Sequence, residues 1–171
     1  MLEIVKVPDP VLRQKAKKVP KVTPAVQKLL DDMAEAMRAA PGVGLAGPQV
    51  GALKRVIVVE VQPDEEEPEA QSGFYRLVNP EIMKSSKEME EGPEGCLSIP
   101  GYQGDVDRHV WVEVRALEYS GRPFRVKARG YLARVLQHEI DHLDGILFLD
   151  RLTSPDKLYK FEPQEPHEEP A

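Results

Sequence analysis

The sequence has 171 residues, of which 41% are hydrophobic and 30% are charged, enough to bury the core of one ordinary domain but too few for two. Its single cysteine, Cys96, excludes an internal disulfide and is typical of a protein from a reducing compartment. The first residues lack a signal-peptide pattern, and no apolar run reaches the roughly 18 residues that a membrane span requires. We therefore predict a cytoplasmic protein without a membrane partner.

The acidic residues are clustered along the chain. The formal net charge of −6 comes from 23 basic and 29 acidic residues. Nine of the acids lie in residues 62–71 and 162–171, two proline-containing segments without lysine or arginine. Leaving these nine out changes the net charge from −6 to +3. We predict a surface loop at 62–71, a disordered acidic tail at 162–171 and a single folded domain over 1–161.

The first predicted helix covers residues 24–40. A threonine–proline pair at 23–24 provides a hydroxyl cap followed by a proline at the first helical position. Apolar residues then recur at helical spacing, which indicates one buried face. A proline–glycine pair at 41–42 ends the helix, and a loop with four glycines follows over 42–51.

β-Branched and aromatic residues predict the strands, and a Ser-Gly turn between the last two indicates a hairpin. A second helix is predicted over 130–143. Because the elements lack βαβ alternation, we expect an α+β fold in which antiparallel or mixed sheets pack around the second helix, with the first helix near the N-terminus. The predicted strands cover 55–61, 74–79, 84–91, 110–117 and 124–128.

The second helix contains an HExxH motif that begins at His138 and ends at His142. At 100° per residue the two imidazoles project from one face, about one turn apart. Glu139 falls on the apolar stripe of this helix, where a carboxylate costs several kcal/mol unless a polar or cationic partner meets it. A divalent metal with its water is such a partner, and the motif is typical of two metal-binding histidines with a glutamate as general base. The opposite face, which we expect to be solvated, contains Arg134, Gln137 and Asp141.

The motif leaves the third metal ligand open. The downstream candidates lie in the predicted tail, where a ligand would be poorly held. Upstream, Cys96 lies in an irregular segment between Gly95 and Pro100, where a thiolate can be aimed at a metal. One thiolate and two imidazoles would leave a fourth tetrahedral position free for water, as catalytic sites require. The downstream candidates are Glu162, Glu165 and His167.

Three segments together resemble the signature motifs of the peptide deformylase family. They are Gly-Val-Gly-Leu-Ala-Gly-Pro-Gln at 42–49, Glu-Gly-Cys-Leu-Ser at 94–98 and Gln-His-Glu-Ile-Asp-His-Leu-Asp-Gly at 137–145. The segments occur in the family's order, and the likeness extends from the first helix to about Leu152. The chain departs from the family pattern at Gly47, where the family usually has alanine.

The resemblance implies a metal-dependent hydrolase that removes the formyl group from the N-terminal formylmethionine of new polypeptides and releases formate. By position, Cys96, His138 and His142 match the metal ligands, and Glu139 matches the general acid and base. Two further groups match donors to the formyl oxygen, namely the side-chain amide of Gln49 and the backbone N–H of Leu97. The family implies Fe(II) in the cell, with Zn or Ni able to occupy the site, whereas ligand softness alone favours Zn.

The substrate contacts are predicted from the same motifs. Glycine at Gly44 permits an extended peptide to pair with the loop backbone in strand-like fashion. We expect Val135, one turn before Glu139, to form the wall of the methionine pocket, with Val43 and Leu97 as neighbours. The family pattern also includes Glu94 and Arg108, for which we predict an ion pair that holds the Cys96 loop. The mildly basic body is compatible with the ribosome as a partner, although the sequence contains no nucleic-acid-binding motif.

Two other functions are consistent with the residues. One is a zincin-type metallopeptidase that takes its third ligand from Glu162 or His167. The other is a non-catalytic, metal-stabilised module, which the apolar position of Glu139 and the open fourth ligand position argue against.

Overall fold

The computed structural model describes residues 1–161 and contains two α-helices and two sheets, in agreement with the predicted α+β class. Helix α1 covers Pro24–Ala39 and helix α2 covers Gly130–Leu143, so both predicted helices are confirmed. The acidic tail predicted at 162–171 lies outside the described residues. None of the described helices is long and apolar enough to cross a membrane. The strands are β1 Gly44–Ala46, β2 Val56–Val61, β3 Gly73–Ser85, β4 Met89–Cys96, β5 Ile99–His109, β6 Trp111–Glu118, β7 Pro123–Arg129 and β8 Leu158–Lys160.

The larger sheet has the strand order β1-β2-β3-β6-β7, and neighbouring strands are antiparallel. Successive residues of strand β2 are buried. Because side chains of successive residues point to opposite sides of a sheet, β2 is buried on both faces. Val56 and Val58 pack in a cluster with residues of α1, whereas Ile57 and Val59 pack in a second cluster with residues of α2. The sheet therefore lies between the two helices, and the HExxH helix has its own apolar core.

The smaller sheet has the order β4-β5-β8, and its β4–β5 hairpin was not predicted as a hairpin. The single strand predicted at 84–91 is wrong, because these residues contain the end of β3, a bend and the start of β4. The glycine-rich segment predicted as a loop is also more regular than expected. It contains β1 and a short 3-10 helix, Gly47–Val50.

The β4–β5 hairpin lies against the face of α2 that was expected to be solvated. Gln137 on this face is only 4% exposed. Its side-chain amide accepts a hydrogen bond from the backbone N–H of His109 and donates to the His109 carbonyl, each over 3.0 Å. The predicted solvation of this face is therefore wrong, because polar residues of α2 bind the backbone of the hairpin.

Candidate metal centre

Three predicted ligand residues come together where the hairpin meets α2. His138 and His142 lie one helical turn apart on α2, and Cys96 is the last residue of β4. The Cys96 Sγ atom lies 3.3 Å from Nε2 of His142, and one ligand atom from each of the three residues lies within 4.8 Å of the others. Both histidines are buried and the cysteine is half-buried.

The geometry and chemistry of these donors fit a divalent cation. Tetrahedral coordination with metal–sulfur and metal–nitrogen bonds of about 2.3 and 2.0 Å places the two donor atoms about 3.5 Å apart, close to the separation of Cys96 and His142. Burial lowers the pKa of His142 well below its ordinary value. The lowered pKa favours the neutral imidazole, which is the form that binds a metal.

Glu94 on β4 fixes the orientation of His138. The Nδ1 atom of His138 lies 2.9 Å from Oε1 of Glu94, and Arg108 donates to both carboxylate oxygens over 2.8 and 2.9 Å. Burial raises the pKa of Glu94, but the hydrogen bonds from Arg108 and His138 outweigh it and lower the pKa to about 2. Because an ionised carboxylate only accepts hydrogen bonds, Nδ1 of His138 carries the proton, and Nε2 is left to bind a cation.

This arrangement confirms the predicted Glu94–Arg108 ion pair and adds a contact that the sequence did not reveal. Glu94 and His138 are 44 positions apart, and no local pattern relates them. The buried carboxylate between Arg108 and His138 joins the Cys96 loop to the HExxH helix. The available signals were the place of Glu94 in the family pattern and its position two residues before the cysteine.

Glu139 lies beside the triad with part of its carboxylate unpartnered. Glu139 is 3% exposed. Its Oε2 atom lies 4.0 Å from Nε2 of His138, and its Oε1 atom has no hydrogen-bond partner within residues 1–161. Burial raises the pKa of Glu139 to about 7. A carboxylate with such a pKa exchanges protons readily near neutral pH, as a general base must.

Gln49 lies in the 3-10 helix and is held at both ends of its side-chain amide. Its Oε1 accepts a hydrogen bond from the Ala46 N–H over 2.9 Å. Its Nε2 donates to the Ser98 hydroxyl over 3.0 Å and lies 3.4 Å from the Cys96 sulfur. The amide N–H₂ group is thereby directed toward the metal ligands. Leu97, whose backbone N–H was predicted as a second donor, directly follows the cysteine.

Gly44 in β1 lies against the glutamate of the HExxH motif. A Cβ atom at Gly44 would overlap Oε2 of Glu139 and lie 2.8 Å from its Cδ. Glycine is therefore needed here for close approach of the backbone to the carboxylate. Gly47 is also closely surrounded, because a Cβ atom there would lie 2.5 Å from the Lys54 carbonyl and 2.7 Å from the Ala52 carbonyl. This chain has glycine where the family usually has alanine, and the backbone around that position leaves no space for a Cβ atom.

A cleft of about 880 Å³ is lined by residues 41–43, which directly precede β1, an edge strand of the larger sheet, and none of the three predicted metal ligands is among its lining residues. Val43 is 41% exposed and lines this cleft together with Tyr131 and part of the acidic loop. Val135 is buried in the α2 core instead, one turn before Glu139, and Leu97 is half-buried beside Gly42.

Comparisons with known proteins assign the sequence and the fold of this chain to the same family. The sequence matches the family described as Polypeptide deformylase over residues 1–158. It is 54% identical over 154 residues to a peptide deformylase of Symbiobacterium thermophilum, covering 90% of this chain and 68% of the relative. The crystal structure of peptide deformylase from Ehrlichia chaffeensis is similar with a TM-score of 0.87 and 42% identity, covering 92% and 90% of the two chains. A Met-Ala-Ser-bound class I type b peptide deformylase from Acinetobacter baumannii has a TM-score of 0.82 and 38% identity, covering 89% and 98%.

Proposed function

Because the chain belongs to the polypeptide deformylase family, whose members remove the N-formyl group from nascent peptides, we propose that Cys96, His138 and His142 hold the catalytic metal beside Glu139. The observation that carries this proposal is the convergence of one sulfur and two imidazoles within 4.8 Å of one another. The buried, partly unpartnered carboxylate of Glu139 next to them supports a proton-transfer role.

The metal that we propose is Fe(II), with Zn or Ni as alternatives in the same site. The softness of the thiolate and imidazole donors alone favours Zn, so the preference for iron comes from the family resemblance. A divalent cation held by these ligands would polarise the formyl oxygen and acidify a water molecule.

The protein groups then divide the proton transfers and the charge stabilisation. Glu139 accepts the proton of the attacking water and later delivers it to the leaving amine as the formyl C–N bond breaks. The Nε2 group of Gln49 and the N–H of Leu97 donate hydrogen bonds to the oxyanion that develops on the formyl group. One preorganised donor of this kind lowers the barrier by about 3–4 kcal/mol. The products are formate and a peptide with a free N-terminal methionine.

The substrate that we propose is the N-terminus of a formyl-Met polypeptide, extended along the free edge of β1. Gly44 would pair with its backbone, Val43 would contact it from the cleft wall, and Val135 would border the methionine side chain from the core. The relative from Acinetobacter baumannii, whose structure has Met-Ala-Ser bound, supports a peptide as the ligand. We further propose that residues 1–161 form a single catalytic domain that acts in the cytoplasm. A ribosomal partner remains a prediction from the charge balance.

The proposal is tested by anaerobic purification, followed by metal analysis and measurement of formate release from a formyl-Met peptide on the same sample. We expect about one divalent metal per chain and metal-dependent formate release. A Glu139→Gln variant should keep the metal and lose about 10²- to 10⁴-fold in rate, the usual contribution of a general base. A variant that binds metal and hydrolyses the peptide like the parent would instead support the non-catalytic module.

A further inference from the structure

Arg134 on α2 binds the β4–β5 hairpin at several points. Its side chain is 12% exposed although it lies on the face of the helix that was expected to be solvated. One terminal nitrogen, Nη1, donates to Oε2 of Glu94 over 2.8 Å and to the Val106 carbonyl over 3.0 Å. The other, Nη2, donates to the Glu90 carbonyl over 2.8 Å. A single guanidinium therefore joins both strands of the hairpin to the helix that contains His138.

The hairpin leaves space for this guanidinium at Gly92. A Cβ atom at Gly92 would lie 2.8 Å from Nη2 and 3.0 Å from Cζ of Arg134. The Gly92 backbone is not in the left-handed region, so the absence of a side chain is needed for the approach of Arg134 and not for the backbone conformation. The Gly92 carbonyl also lies 3.4 Å from Nη1 of the same side chain.

Arg134 contacts the carboxylate oxygen of Glu94 that His138 does not use. Oε1 accepts from His138 and from Nη2 of Arg108, whereas Oε2 accepts from Nε of Arg108 and from Arg134. Arg108 is in turn shared with Asp141 over 2.7 Å. With Arg134 in place, each oxygen of Glu94 has two donors, and the rotation of the carboxylate plane is fixed.

We propose that Arg134 is a positioning residue for the metal centre, which orients Glu94 so that its Oε1 accepts the Nδ1–H of His138. This inference rests on the proposed metal site. A partner in the second shell of a metal fixes the ring orientation and the donor strength of the ligating imidazole, and its loss typically lowers metal affinity 10- to 100-fold. Arg134 acts one step further out, because it holds Glu94 while it is also bound to the backbone of both strands of the hairpin.

Two substitutions test this role in different ways. Arg134→Gln removes the guanidinium, whereas Gly92→Ala keeps its charge but places a methyl group 2.8 Å from Nη2, so that the guanidinium must shift. The matched control is Arg115→Gln, which removes an exposed guanidinium whose side-chain partner is Glu81 at 3.0 Å. Each metal-free protein is titrated with Zn(II) and Co(II) against a chelator of known affinity. The visible absorption of the Co(II) form and the free energy of unfolding of the metal-free form are recorded as well.

We expect both Arg134→Gln and Gly92→Ala to weaken Zn(II) and Co(II) binding by about 10-fold or more and to shift the Co(II) absorption bands. Arg115→Gln should bind both ions within twofold of the parent with an unchanged spectrum. The inference is overturned if Gly92→Ala, or a folded Arg134→Gln, matches the parent in affinity and spectrum, even if it unfolds more easily. A parent protein that binds neither ion would overturn the proposed metal site instead, so the two failures are distinguishable.

Discussion

Adding one methyl group at Gly44 should disable the general base while leaving the metal ligands in place. In Gly44→Ala the new Cβ would overlap Oε2 of Glu139 and lie 2.8 Å from its Cδ. Carbon atoms in contact lie about 3.5–4.0 Å apart, so the carboxylate must move by about 0.7–1.2 Å. A misplacement of about 1 Å costs roughly 10²-fold in rate, which corresponds to about 2.7 kcal/mol of transition-state stabilisation. We therefore expect kcat/KM for a formyl-Met peptide to fall about 100-fold.

A double-mutant cycle separates this mechanism from obstruction of the substrate. Formate release is measured for the parent, Gly44→Ala, Glu139→Gln and the double variant, each with its metal content determined. If the methyl group acts through the carboxylate, Gly44→Ala should have little further effect in the Glu139→Gln background. An equal loss of about 100-fold in both backgrounds would show that the methyl blocks the peptide instead, and the reasoning about Glu139 would be refuted.

Three further predictions concern the surrounding residues. The pKa of Glu94 is about 2 against an ordinary 4.5, so its ionised form contributes roughly 3 kcal/mol of stability, present above pH 4.5 and lost as the pH falls toward 2. Glu94→Gln should therefore lower the free energy of unfolding of the metal-free protein by roughly 3 kcal/mol at pH 7. In denaturant titrations, the difference between parent and variant should shrink below pH 4. A difference that stays constant with pH would contradict this prediction. Gln49→Ala should lower kcat about 10²- to 10³-fold in formate-release assays with metal content unchanged, and an unaltered rate would remove the amide from the oxyanion site. A chain ending at Phe161 should keep metal and activity, whereas loss of the metal would support a ligand from Glu162 or His167.

The parts of the fold that were predicted correctly are those whose apolar residues follow a regular period. Helix α2 was predicted at its observed limits because its apolar stripe has helical spacing. Strands β2, β6 and β7 were predicted nearly to their ends because β-branched residues or alternating apolar residues dominate them. In each case the buried face is apolar and is therefore visible in the sequence.

The β4–β5 hairpin was missed because polar groups provide much of its contact with α2. Strand β4 contains two glycines, a proline and three glutamates, which is not the composition of a typical strand. Arg134 donates hydrogen bonds to backbone carbonyls of β4 and β5. Gln137 accepts a hydrogen bond from a backbone N–H of β5. Such long-range polar contacts leave no periodic signal in the sequence. Arg134 and Gln137 were therefore expected in solvent, although they bind the β4–β5 hairpin.

The candidate site shows the same division between local and long-range information. Helical geometry alone placed His138 and His142 on one face, and the family resemblance selected Cys96 from the alternatives. The hydrogen bond between Glu94 and His138 and the close approach of Gly44 to Glu139 depend on how separate elements pack, and no pattern in the sequence predicted them.

X-ray absorption at the metal edge of the anaerobically purified protein tests the proposed coordination most directly. We expect one sulfur scatterer at about 2.3 Å and two imidazole nitrogens at about 2.0–2.1 Å, with the remaining ligand a light atom. The Cys96→Ser variant should lose the sulfur contribution. A metal shell without sulfur in the active parent protein, or one filled by a fourth protein side chain, would contradict the assignment of Cys96, His138 and His142 as the catalytic metal ligands.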